Sequence, residues 1–208
     1  MMPPRLLAGR LPDGDPVFEQ PIAALQASLL AGRLSAVDLV CAYLARIAAH
    51  DQHGPSLNAV LALNANAQAE AAERDAQRRL GQQVGPLHGI PILFKDNIDV
   101  AGMPATAGCR ALAERRPRQD ADVVRRLREA GAVVLGKTTL HELACGTTNV
   151  SSQSGRTRNA YDAARVPGGS SGGSAVAVAS SFAAAAIGSD TSGSIRIPAA
   201  FTQVWGLR

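Results

Sequence analysis

At 208 residues, 46% of them hydrophobic, and with a mean hydropathy of +0.02, the chain can bury one sizeable core, which excludes a wholly disordered polymer. The net charge of +4 and pI near 9.4 do not imply nucleic acid: basic residues such as Arg125, Arg126 and Arg128 are interspersed with acids on a helical stretch, and no aromatic residues are interleaved with them for base stacking. No apolar run is long enough for a membrane span, the first 20 residues hold no secretory apolar core, and Cys41, Cys109 and Cys145 lack CxxC spacing, so a cytoplasmic protein with reduced thiols and no membrane partner is expected.

Ile22, Leu25, Leu29 and Leu30 recur at helical spacing, and Gly32 ends that element. Ser35 followed by Asp38 has the form of a capping box and opens a second helix through Leu39, Tyr43 and Ile47. After the Gly54-Pro55 break, a third helix is expected over Ala65–Leu80, then a loop over Gly81–Pro86. From Leu87 the pattern changes. Ile90–Phe94 reads as a buried strand ending at Lys95. Asp120 is expected to cap a helix carrying Val123, Val124 and Leu127, with Gly131 closing it. Ala132–Leu135 reads as a strand, Thr139–Ala144 as the start of a helix, and Thr147–Asp162 as a polar loop. Ser174–Ser180 reads as helix and Ala183–Gly188 as strand. A last helix is expected near Pro198, and Val204–Leu207 should begin another strand. The fold class is therefore α/β: a mixed, largely buried sheet with helices on both faces, preceded by an N-terminal helical layer. Residues 1–208 read as one domain, with 1–86 mainly helical and 87–208 the α/β part.

Two motifs mislead. Gly131-Ala132-Val133-Val134-Leu135-Gly136-Lys137-Thr138 fits G-x-x-x-x-G-K-[ST], but the residues that should cradle a phosphate are the apolar strand itself. His141-Glu142 begins like a zinc-protease helix, yet the residue at i+4 is Cys145, which leaves no adequate metal face.

The chemistry lies elsewhere. Gly168-Gly169-Ser170-Ser171-Gly172-Gly173-Ser174 runs straight into a helix, and Gly188-Ser189-Asp190-Thr191-Ser192-Gly193-Ser194-Ile195-Arg196 joins a strand to a helix. Glycines let the backbone approach a ligand closely, serines supply hydroxyls, and consecutive N–H groups can gather an anion. A serine nucleophile needs a base. None of His50, His53, His88 and His141 is near these loops in sequence, whereas Lys95 ends a buried strand, where desolvation favours a neutral amine.

Gly89-Ile90-Pro91 with Lys95-Asp96-Asn97, the Gly-Gly-Ser-Ser-Gly-Gly-Ser loop and Asp190-Thr191-Ser192-Gly193-Ser194-Ile195-Arg196 resemble the amidase signature family from about Ile22 onward. The resemblance implies catalysis by Lys95, Ser170 and Ser194, with Ser194 as nucleophile, Ser170 on a cis peptide bond as proton relay and Lys95 as base. It implies an oxyanion hole from the N–H groups of Thr191, Ser192, Gly193 and Ser194, and support from Ser171, Asp190 and Arg196. No metal or organic cofactor is implied. The expected reaction is hydrolysis of a small carboxylic amide through an acyl-enzyme, the alternatives being a glutaminase-type subunit of a tRNA-dependent amidotransferase or an inactive remnant. Ser192 stands where many members have glycine, and Val150 where the amidotransferase subunit has an acid, which favours a free-standing amidase. Family members continue past Arg208, so the fold is expected to be incomplete and apolar surface exposed, with a homodimer or a complementing C-terminal segment as partner.

Overall fold

The computed structural model describes residues 6–11 and 14–208. Helix α1 (Ile22–Leu30) leads into α2 (Ala36–His50), which opens with the expected capping box: Ser35 Oγ accepts from Asp38 N–H at 3.0 Å, and the Asp38 carboxylate accepts from Ser35 N–H at 2.8 Å. After a short strand, β1 (Val60–Leu63), comes α3 (Ala67–Arg79). Strand β2 (Pro91–Lys95), helix α4 (Asp122–Glu129) and strand β3 (Val133–Thr138) form a β-α-β unit. A two-stranded hairpin, β4 (Val150–Ser151) and β5 (Gly155–Arg156), precedes α5 (Gly172–Ala179), β6 (Ala185–Ile187) and α6 (Arg196–Phe201).

The sheet has the order β1-β3-β2-β6, with β2 parallel to both its neighbours and β1 antiparallel at the edge. Every residue of β2 and β3 is buried, as a strand covered on both faces requires. Helix α5 touches all four strands, while α2 and α3 pack on each other and on β2 and β3. Pairing of β2 with β3 shifts by one residue at Leu135: Ile92 faces Val134, but Leu93 faces Gly136, Phe94 faces Lys137 and Lys95 faces Thr138. Side chains alternate across a sheet, so Lys95 and Thr138 project to one face, Asp96 and Lys137 to the other.

The helical first part thus contributes an unexpected strand, β1. Three expectations fail. The Asp120 carboxylate does not cap α4; it accepts from Ala101 N–H at 2.8 Å and pairs with Arg128 at 3.0 Å, leaving Ala121 at the cap position. Thr139–Ala144 starts no α-helix. Only a 3₁₀ turn, Glu142–Ala144, forms, because Leu143 N–H is drawn to Ala107 O at 2.8 Å and Leu143 and Ala144 take left-handed backbone. Val204–Leu207 forms no strand, with no neighbour to pair with among the described residues, and Trp205 and Leu207 are almost fully exposed.

Arg46 is the largest fully buried side chain. Its guanidinium pairs with Asp15 and donates to Gly9 O (3.2 Å), Ala8 O (3.1 Å), Ser180 O (2.7 Å) and Ser181 O (3.0 Å), with the Phe18 ring centroid 4.9 Å away. It therefore ties the N-terminal segment to the end of α5.

Candidate active site

Lys95 is the last residue of β2 and is fully buried. Its Nζ lies 2.7 Å from Ser170 Oγ, 2.9 Å from Ser189 Oγ and 3.4 Å from Ser189 O. Removal from water pushes its pKa down to about 8, against the opposing pull of the Asp190 carboxylate. A neutral amine has two N–H groups and one lone pair. The two acceptors of Ser189 suit the donors, which leaves the lone pair for the Ser170 hydroxyl.

Ser170 follows a cis Gly169–Ser170 peptide bond, and its carbonyl accepts from His141 N–H at 3.0 Å. Ser171 N–H donates to Ser194 O at 3.0 Å, binding the two glycine-rich loops together. Ser171 Oγ donates to Ser189 O at 3.2 Å and accepts from Ser189 N–H at 3.3 Å, so this side chain clamps Ser189 and makes no bond to Ser170. Ser194 is half-buried, and its hydroxyl makes no hydrogen bond among the described residues.

Asp190 is the hinge of the second loop. One carboxylate oxygen accepts from Ile195 N–H at 3.1 Å, from Arg196 N–H at 3.3 Å and from Arg196 Nε at 3.0 Å. These bonds, the Arg196 side chain foremost, hold the Asp190 carboxyl far below the usual carboxylate range. The N–H groups of Thr191, Ser192, Gly193 and Ser194 have no acceptor among the described residues. Four free amides are thus followed by two that Asp190 has taken. Gly193 has φ +154°, whereas Ser192 keeps a negative φ, so the backbone there accepts serine without strain.

Sequence reasoning did not single out Ser189. The signal lies in strand pairing: Phe94 faces Ile187, so Lys95 at the end of β2 comes level with the residues just past β6. Asn97 Nδ2 also donates to Ser189 Oγ, at 3.0 Å. A cavity of about 670 Å³ adjoins Asn97, with walls from Ile98, Leu112 and Val123 and the Asp99–Arg115 ion pair at 2.7 Å.

The two misleading motifs stay outside this site. Lys137 is buried on the opposite face, where its Nζ donates to Ile98 O and Pro104 O at 2.7 Å each and lies 3.5 Å from Asp96. Asp96 in turn accepts from Thr106 N–H at 2.9 Å. His141 Nδ1 meets Thr148 Oγ1 at 3.2 Å, and among the described residues no three His, Cys, Asp or Glu side chains gather as metal ligands. Nor is any described helix long and apolar enough to cross a membrane.

Comparison with known proteins gives the family. A family profile described as Amidase matches residues 38–208. The native peptide amidase of Stenotrophomonas maltophilia superposes with a TM-score of 0.88 at 53% identity, over 91% of this chain and 40% of that one. A bacterial aryl acylamidase of the amidase signature family superposes at 0.84 with 32% identity, over 89% of this chain and 38% of that one. A glutamyl-tRNA(Gln) amidotransferase subunit from Halorhodospira halophila is 47% identical over 193 residues, 92% of this chain and 39% of its own length. The chain thus spans about two fifths of the relatives it matches.

Proposed function

This chain belongs to the amidase family, and from that premise we propose that it hydrolyses a carboxylic amide through an acyl-enzyme on Ser194. The observation that carries the reading is the buried Lys95 amine, 2.7 Å from Ser170 Oγ and pushed down to a pKa of about 8. In the proposed reaction Ser194 Oγ attacks the amide carbon, its proton passes to Ser170, and the Ser170 proton passes to neutral Lys95. The free amides of residues 191–194 receive the developing oxyanion, where one such donor contributes about 2.7–4 kcal/mol. The same relay run in reverse protonates the departing amine. Water then enters by the same route and releases the acid.

A second reading is favoured by the 47% identity to a component of an amidotransferase: glutamine hydrolysis with ammonia passed to a partner. Val150, near which amidotransferase subunits are expected to carry an acid, is exposed, which supports the first reading. The test is labelling of the 208-residue chain with a fluorophosphonate probe. Labelling at Ser194 that disappears in Lys95→Ala and Ser194→Ala is expected. A folded chain that takes no label would mark a non-catalytic remnant and overturn the proposal. Ammonia release from glutamine in preference to simple aryl amides would move the assignment to the second reading.

A further inference from the structure

Helix α5 begins immediately after the two serines of the first loop, yet its own cap residue, Ser171, makes no side-chain capping bond. The missing cap comes from 22 residues upstream. Asn149 Oδ1 accepts from Gly172 N–H at 2.9 Å, the first amide of the helix. Asn149 is 1% exposed and holds left-handed backbone (φ 56°), which asparagine tolerates better than most residues. Its Nδ2 donates to Thr157 Oγ1 at 2.8 Å, and Thr157 Oγ1 donates to Asn58 O at 2.8 Å. The amide therefore bridges the α5 start to the chain just ahead of β1, with every polar atom of the side chain used. The paired glycines show how close this seat is. A Cβ on Gly172 would lie 2.5 Å from Asn149 Cγ, and one on Gly173 would collide with Thr139 and the Ala59 carbonyl. Neither glycine has positive φ; both are needed for close approach.

We propose that Asn149 is a positioning residue for the reaction inferred above: it fixes the first turn of α5 through Gly172, and so holds Ser170 and Ser171 in register against Lys95 and Ser189. The assignment rests on the hydrolase reading. It explains why Asn149 is buried against the serine turn while its neighbours Thr148 and Val150 are exposed.

The test compares the 208-residue chain with Asn149→Gly and Asn149→Asp. Glycine removes the amide without straining the left-handed backbone, and aspartate keeps an oxygen for Gly172 N–H. Three quantities are followed: hydrogen-exchange protection of the Gly172 amide, the melting temperature, and the maximal rate and half-saturating concentration of fluorophosphonate labelling. In Asn149→Gly the Gly172 amide should lose protection while amides of β2 and β3 keep theirs. Labelling per folded molecule should slow about tenfold with half-saturation unchanged, since misplacement of a reacting group acts on rate. Asn149→Asp should restore most of both. A Gly variant that labels as fast as wild type, or an Asp variant as slow as the Gly variant, would overturn the assignment. Absence of labelling in the wild type overturns the hydrolase reading instead, so the two failures are told apart.

Discussion

The Lys95 amine and the Ser189 hydroxyl lie 2.9 Å apart, and the same hydroxyl accepts a 3.0 Å hydrogen bond from Asn97 Nδ2. Ser189 is thereby held by its neighbours and in turn fixes the direction of the amine. Ser189→Ala should slow labelling of Ser194 about tenfold through lost orientation, with the half-saturating probe concentration unchanged. A Ser189→Ala chain as reactive as wild type would show that Ser170 Oγ and the Ser189 carbonyl suffice to orient Lys95.

Reactivity should rise with pH. The base is the neutral amine, and its fraction grows as pH passes the Lys95 pKa of about 8. The labelling rate should be half-maximal near that value. Asp190 stabilises the ammonium form, so Asp190→Asn should move the midpoint to lower pH while slowing the reaction through loss of the bonds to Ile195 and Arg196. A flat profile from pH 6 to 9 would remove Lys95 from the role of base.

Burial of Lys95 should cost stability at neutral pH. Its amine titrates at about 8 when folded and at 10.5 when not, so folding releases a proton between these values and wild-type stability rises across that window. Lys95→Met should abolish labelling yet stabilise the chain at pH 7 by on the order of 1–3 kcal/mol. That gain should shrink as pH approaches 10. Urea unfolding of both chains at pH 7 and pH 10 measures it, and a destabilised methionine variant at pH 7 would refute it.

Asp96 and Lys137 are both fully buried, 3.5 Å apart, on the other face of the sheet. Removing one partner strands the other's charge. Asp96→Asn or Lys137→Met alone should cost about 3–5 kcal/mol. The pair Asp96→Asn with Lys137→Met should cost less than the two single changes together, because no unpaired charge remains. Denaturant midpoints report all of these, and independent, additive losses would mean that the ion pair contributes nothing.

Much of this arrangement was legible because it rests on short-range pattern. The apolar run Ile90–Phe94 ending in Lys95 reads as a strand whose last side chain is buried, and Ser35 with Asp38 reads as a cap. What escaped depends on contacts between distant segments. Strand β1 has four residues, only Val60 of them buried, too few to set up a clear alternation. Asn149 gives no local sign that its amide will serve a helix beginning at Gly172. The run Thr139–Ala144 imitates a helix start, but the bond from Leu143 to Ala107 outweighs local propensity. Asp120 had the right place for a cap and was claimed by Arg128 and Ala101 instead.

The single-residue offset at Leu135 decides which lysine is which. Without it, Leu93 would face Leu135, Phe94 would face Gly136, and Lys95 would come level with Lys137 rather than with Thr138. Two buried ammonium groups would then share one side of the sheet, and Asp96 would be left on the other without its counter-charge. The inner strands can thus exchange one apolar side chain for another far more readily than they can gain or lose a residue.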